Sequence, residues 1–178
     1  MAAGAAIWGF LLAAGQIAPT DIAQTSLPAG PDGPAIAAAA QLDAIIQYSR
    51  WPVATGPLNA CLIGDSALHD RLTDHSLPDG RSLQFTRISP GQFTPATCDI
   101  ALIGRISRAD ERRIIIDAGD APVLTITDAD PACTRGSMIC WNLGAEGLGF
   151  DLNIGAVAQS NIRIDPRVLT LGWHRRRI

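Results

Sequence analysis

Apolar and polar positions are patterned most clearly between Pro122 and Asn153, PVLTITDADPACTRGSMICWNLGAEGLGFDLN. PVLTIT is β-branched and apolar, SMICWNL alternates in part, and LGFDLN alternates again after a turn bearing Gly144 and Gly147. Such segments predict sheet rather than helix. Upstream, a helix is expected from Pro34 to Tyr48. Pro34 sits in its first turn, and its apolar stripe runs through Ile36, Ala39 or Ala40, Leu42 or Asp43, and Ile46. Pro52 disfavours helix at Trp51, so the chain should set down an aromatic pair, Tyr48 and Trp51, at the helix end.

Beyond a turn at Gly56 and Pro57, strands are expected over Ala60 to Gly64, Leu83 to Ile88, Asp99 to Gly104 and Val123 to Thr127. The second has polar residues interleaved and reads as a sheet edge. The third is nearly all apolar and reads as central. Asp65 or Ser66 should cap a helix reaching Thr73, and Ser107 one over Ala109 to Ala118. Strand and helix thus alternate, which predicts parallel pairing with right-handed crossovers. Strands over 137–143 and 148–152 should close an antiparallel hairpin on one edge. A helix over Asn153 to Gln159 and a short one starting near Asp165 and Pro166 follow. The fold class is therefore α/β: a single domain with a mixed, mostly parallel sheet flanked by helices and ending in an antiparallel hairpin.

Composition narrows the function classes. A chain of 178 residues, 47% apolar and 17% charged, fits one domain with a real core. A net charge of −3 argues against a general nucleic-acid binder, which needs excess base to neutralise phosphates. The basic cluster His174 to Arg177 is a terminal tail, either solvated or in contact with an acidic partner or lipid headgroups. Ile7 to Ala14, IWGFLLAA, is an apolar run of signal-peptide length, followed by small residues and a Pro-rich stretch. It is too short to span a bilayer, which takes ~20 apolar residues. No Lys or Arg precedes it, and a buried N-terminal helix is the competing reading.

The four cysteines include no C-x-x-C and no nearby histidine pair, a poor pattern for zinc. Disulfides suit them better. Cys61 opens CLIG and Cys98 opens CDIALIG, so parallel neighbouring strands would set those two side by side, leaving Cys133 to pair with Cys140. Four reduced, buried cysteines are the alternative. No motif for a metal or cofactor is present. One enzymatic hook exists: Ile63-Gly-Asp-Ser-Ala67 resembles the nucleophile block of GDSL-type esterases, with Ser66 as nucleophile. The Asp-x-x-His such enzymes use is absent, and so is the G-x-N-D block. His69 lies one turn from Ser66, His75 falls in a polar loop and His174 in the tail. A third reading is a small-ligand site at the strand ends Gly64 to Ser66 and Gly104 to Ser107.

Tyr48-Ser-Arg-Trp-Pro52, Cys61-Leu-Ile-Gly-Asp65, Cys98-Asp-Ile-Ala-Leu-Ile-Gly104, Pro122 to Asp128, Gly136-Ser-Met-Ile139, Phe150-Asp-Leu-Asn153 and Ile164-Asp-Pro-Arg-Val-Leu169 occur in an order and spacing that resembles the YfiR/HmsC family. The resemblance covers residues 35–172. It implies an exported α/β protein, acting in the periplasm without catalysis, that binds the periplasmic sensor domain of an inner-membrane diguanylate cyclase and holds it inactive. Cyclic-di-GMP and biofilm formation then stay low. It also implies two disulfides among the four cysteines, and sequestration by an OmpA-type outer-membrane lipoprotein. The family commonly has a further glycine where Ser137 stands. The domain boundaries that follow are a signal peptide over 1–18, a linker over 19–33, a YfiR-like domain over 34–173 and a basic tail over 174–178. The partner-binding surface is expected to be an apolar patch rimmed by charge that includes residues of the first helix and the corner bearing Tyr48 and Trp51. Assembly as a homodimer is left open.

Overall fold

The computed structural model describes residues 27–52, 56–145 and 147–171. The expected signal peptide, most of the linker and the basic tail lie outside them. The described chain is an α/β domain built on a seven-stranded sheet in the order β3-β4-β2-β5-β6-β7-β8. Its strands are β2 (Leu58–Ile63), β3 (His75–Ser76), β4 (Ser82–Ile88), β5 (Ile100–Ile103), β6 (Leu124–Thr127), β7 (Ile139–Gly144) and β8 (Gly147–Leu152). The five inner strands are parallel, and β3 and β8 pair antiparallel at the two edges. The apolar strand β5 is central because its four residues, like those of β6, are buried on both faces.

Alternation along the strands divides the core. Leu58, Ala60 and Leu62 face the helix α1 (Gly33–Gln47) together with Leu102 and Ile126. Cys61 and Ile63 face α2 (Arg108–Gly119) together with Ala101 and Ile103. Ser107 caps α2, its hydroxyl accepting from the Asp110 amide at 3.1 Å. The short helix α3 (Ile154–Gln159) is capped in the same way by Asn153.

Three local expectations need correction. Leu42 and Ile46 of the expected α1 stripe are buried, but in the first half of the helix the buried face runs through Ala35, Ala37 and Ala38, and Ile36 is 44% exposed. A run of alanines gives the pattern little contrast, and turning the small side chains inward lets α1 lie closer to the sheet. Second, Ser66 caps a 3-10 turn of only three residues, Ala67–His69, rather than a helix to Thr73. The turn packs beneath α1, where Leu68 and Leu72 already bury their side chains. The Asp74 carboxylate then accepts from the Phe85 amide at 2.7 Å, drawing the chain out into β3. So His75 lies in an edge strand, not a loop, and β4 is second from the edge. Third, Ser49–Arg50 (β1) and Arg163–Ile164 (β9) form a separate antiparallel ribbon, with the 3-10 turn Pro166–Leu171 after it. Strands of two residues carry no alternation to read.

The two described histidines give opposite pH dependences. His75 bonds the Thr73 carbonyl at 2.8 Å and the Asp43 carboxylate at 2.9 Å, which raise its pKa above the ordinary 6.5. Its contribution to stability is therefore fully present below pH 6.5 and lost as pH rises through the higher folded value. His69 is buried, and desolvation pushes its pKa below 6.5. As pH falls below 6.5 the unfolded chain takes up a proton that the folded chain refuses, and stability falls. Replacing His75 by Gln leaves the second effect unopposed. The thermal midpoint of H75Q should drop more steeply than that of wild type between pH 7.5 and 5.5; parallel curves would contradict this assignment.

Candidate functional site

In a doubly wound sheet the ligand crevice opens at the carboxyl ends of the strands where the strand order reverses. Here that point lies between β2 and β5, and it is closed by backbone. Asp65 and Arg105 form an antiparallel bridge, with the Asp65 amide 3.3 Å from the Arg105 carbonyl and the reciprocal pair at 2.9 Å. Two glycines permit this approach. Gly64 has φ +77°, and a Cβ there would fall 2.4 Å from Ile106 Cγ2; one on Gly104 would fall 2.5 Å from the Asp65 carbonyl oxygen. Gly64 to Ser66 and Gly104 to Ser107 thus meet each other where the expected cleft would be.

Ser66 faces the other way. Its hydroxyl donates to Asp128 Oδ2 at 2.5 Å and accepts from the Leu68 amide at 3.1 Å. A nucleophilic serine needs an imidazole to take its proton, whereas this proton is held by a carboxylate. Among the described residues no histidine ring is hydrogen-bonded to the Ser66 hydroxyl. His69 is 2% exposed with its Nδ1 unpartnered, and His75 is engaged with Asp43. Beside Asp128 a pocket of 330 Å³ is walled by Ala35, Leu68, Trp141 and Leu143. Among the described residues no three His, Cys, Asp or Glu side chains gather as metal ligands.

The four cysteines are all paired. Cys61 joins Cys98 with Cα atoms 5.7 Å apart, and Cys133 joins Cys140 at 5.4 Å. The first bond is not made between two strand starts: Cys61 is the fourth residue of β2, and Cys98 precedes β5. The turn over 95–97 brings Cys98 back across the α2-side face, where both are buried. The second bond belongs to the loop that carries β6 into the parallel strand β7 without a helix. Asp130 organises this loop from within, its Oδ2 accepting from the Thr134 and Arg135 amides, each at 2.7 Å. Arg135 then reaches α2, 3.1 Å from the buried Glu111 carboxylate.

Tyr48 and Trp51 have different environments. Trp51 is 7% exposed and belongs to the α1-side core, with its Nε1 donating to the Asp99 carbonyl at 3.2 Å. Tyr48 is half-buried. Each ring has an arginine over it, Arg81 at 5.7 Å on Trp51 and Arg167 at 5.9 Å on Tyr48. Each arginine is held by an aspartate, Arg81 by Asp79 at 2.6 Å and Arg167 by Asp165 at 2.7 Å. The Arg167 guanidinium pulls the Asp165 carboxyl down to about 2. A pocket of 490 Å³ opens at this corner, lined by Gln47, Arg50, Trp51, Pro78, Asp79 and Arg81. The sequence pointed to the aromatic pair but not to its arginines. They come from two separate places in the chain, Arg81 just before β4 and Arg167 just after β9, and the β1–β9 pairing brings the second to Tyr48.

The apolar surface is otherwise scattered, with Ile116 on α2, Leu143 on β7 and Ile154 on α3 as exposed large side chains. No described helix is long and apolar enough to cross a membrane. Comparison with protein-family models matches residues 37–172 to the family described as YfiR/HmsC-like. The match runs from the first turns of α1 past the last 3-10 turn and takes in both disulfides, the closed crevice and the aromatic corner, so the chain belongs to the YfiR/HmsC-like family.

Proposed function

We propose that this protein is an exported regulator that represses an inner-membrane diguanylate cyclase by binding its periplasmic sensor domain. Residues 1–18 direct export, 19–33 link, 34–173 form the binding domain and 174–178 are a basic tail. Family membership carries this reading. The two disulfides support it, because paired thiols persist in oxidising compartments such as the periplasm. The closed switch-point crevice and the commitment of Ser66 to Asp128 favour docking over ligand turnover.

Repression of this kind is linkage. A protein that binds only the inactive conformer of the cyclase shifts the population by its differential affinity, and no active site is required. An OmpA-type outer-membrane lipoprotein would relieve repression by competing for the same protein. A second copy of the chain is a further candidate partner. Fractionation tests the compartment directly. Native protein should appear in the periplasmic fraction, begin after the apolar run Ile7 to Ala14 and show no thiol reactive to alkylation under denaturing conditions. Cytosolic material with four reactive thiols would overturn the reading.

A further inference from the structure

We infer that the β1–β9 ribbon and the pocket beside it are the docking surface for an acidic segment of the partner protein, an inference that rests on the regulatory reading above. The register sets Arg50 directly opposite Arg163, and both are exposed. Directly opposed residues of a ladder project to one side, where like charges destabilise the pair. The fold offsets this for Arg50 only. Its guanidinium turns back onto the end of α1 and donates to the Gln47 and Ser49 carbonyls at 2.7 and 2.9 Å, where the helix dipole is negative. Among the described residues neither Arg50 nor Arg163 has a carboxylate in an ion pair.

The arginines beside them are matched, Arg81 by Asp79 and Arg167 by Asp165. The corner therefore carries two more arginines than carboxylates, on a chain whose net charge is −3. Guanidinium groups take carboxylates through two parallel N–H donors, so a carboxylate lying along the ribbon would satisfy both Arg50 and Arg163. A neighbouring side chain of the same segment would enter the 490 Å³ pocket over the Trp51 ring. The occupant is a polypeptide rather than a lipid surface. A flat anionic bilayer would press against Asp79 and Asp165 as well and would leave the concave pocket unfilled.

The test is titration of the full oxidised protein with the isolated periplasmic sensor domain of a diguanylate cyclase from the same cell, at low and high salt. Four proteins are compared: wild type, R163E, R50E/R163E, and R108E/R112E on the opposite face. Far-UV circular dichroism and thermal midpoints establish that each is folded, and R163E leaves the α1 terminus untouched. The inference expects binding that weakens with salt, a loss of roughly 100-fold in R50E/R163E with R163E in between, and wild-type affinity in R108E/R112E. Equal affinity of wild type and R50E/R163E would overturn the inference while leaving the regulatory reading intact. No binding by wild type would overturn that reading and this inference with it. Capture by phosphatidylglycerol vesicles, lost in R50E/R163E, without sensor-domain binding would assign the surface to membrane instead.

Discussion

Replacing Cys61 and Cys98 together by serine should cost about 4 to 7 kcal/mol of folding stability. The bond closes a loop with a sequence separation of 37, and freeing it returns about 3 to 4 kcal/mol of chain entropy to the unfolded state. The remainder comes from two hydroxyls placed in the apolar layer beneath α2 with Ile63, Phe93 and Ile103 around them, at about 1 to 3 kcal/mol if they pair poorly. Domains of this size hold only about 5 to 15 kcal/mol, so the variant should be marginal at 37 °C. Cys133 and Cys140 form the useful contrast. Their separation is 7, worth about 2 kcal/mol by the same reasoning, and Asp130 still holds the loop when they are gone. Urea denaturation of the two double variants should rank them in that order. The reverse ranking would show that the β6–β7 loop, not the β2–β5 tie, carries the stability. Through the docking account, reduction should weaken repression mainly by loosening the first bond.

Trp51→Ala should destabilise by about 3 to 5 kcal/mol, because it empties a nearly buried indole site in the α1-side core. Loss of the hydrogen bond to the Asp99 carbonyl adds about 1 kcal/mol. Loss of repression in W51A would then mix a damaged fold with any lost partner contact. Trp51→Phe separates the two, since it keeps most of the packing and removes only the donor. Tyr48→Ala removes a half-buried ring and should cost about half as much or less. Chemical denaturation checks all three; W51A within 1 kcal/mol of wild type would contradict the placement of the indole in the core.

The long elements were legible because burial writes them into the chain. IALI in β5 is apolar throughout, LTIT in β6 alternates two apolar residues with β-branched threonines, and Ser107 announces the start of α2. The pieces that eluded the sequence are those fixed by contacts distant along the chain. β1 and β9 exist because Tyr48 and Asp165 meet, the Asp165 amide 2.8 Å from the Tyr48 carbonyl. The glycines of the switch point were visible as residues, but their purpose was not: both sit there so that β2 and β5 can join beyond the sheet. Tyr48 and Trp51 were marked as a pair, yet Trp51 is nearly buried and Tyr48 only half-buried, because spacing alone does not distinguish a core ring from a more exposed one. Arg50 and Arg163 lie 113 positions apart, and nothing local marks them as neighbours.

The central claim is that docking of this oxidised domain holds a cyclase inactive. It is tested most directly by adding the purified protein to membranes bearing a diguanylate cyclase with an intact periplasmic domain, presented on the periplasmic side, and measuring cyclic-di-GMP synthesis. Synthesis should fall in a saturable manner with one equivalent of oxidised protein per sensor domain, and recover when the protein is reduced. Unchanged synthesis at saturating oxidised protein would contradict the account.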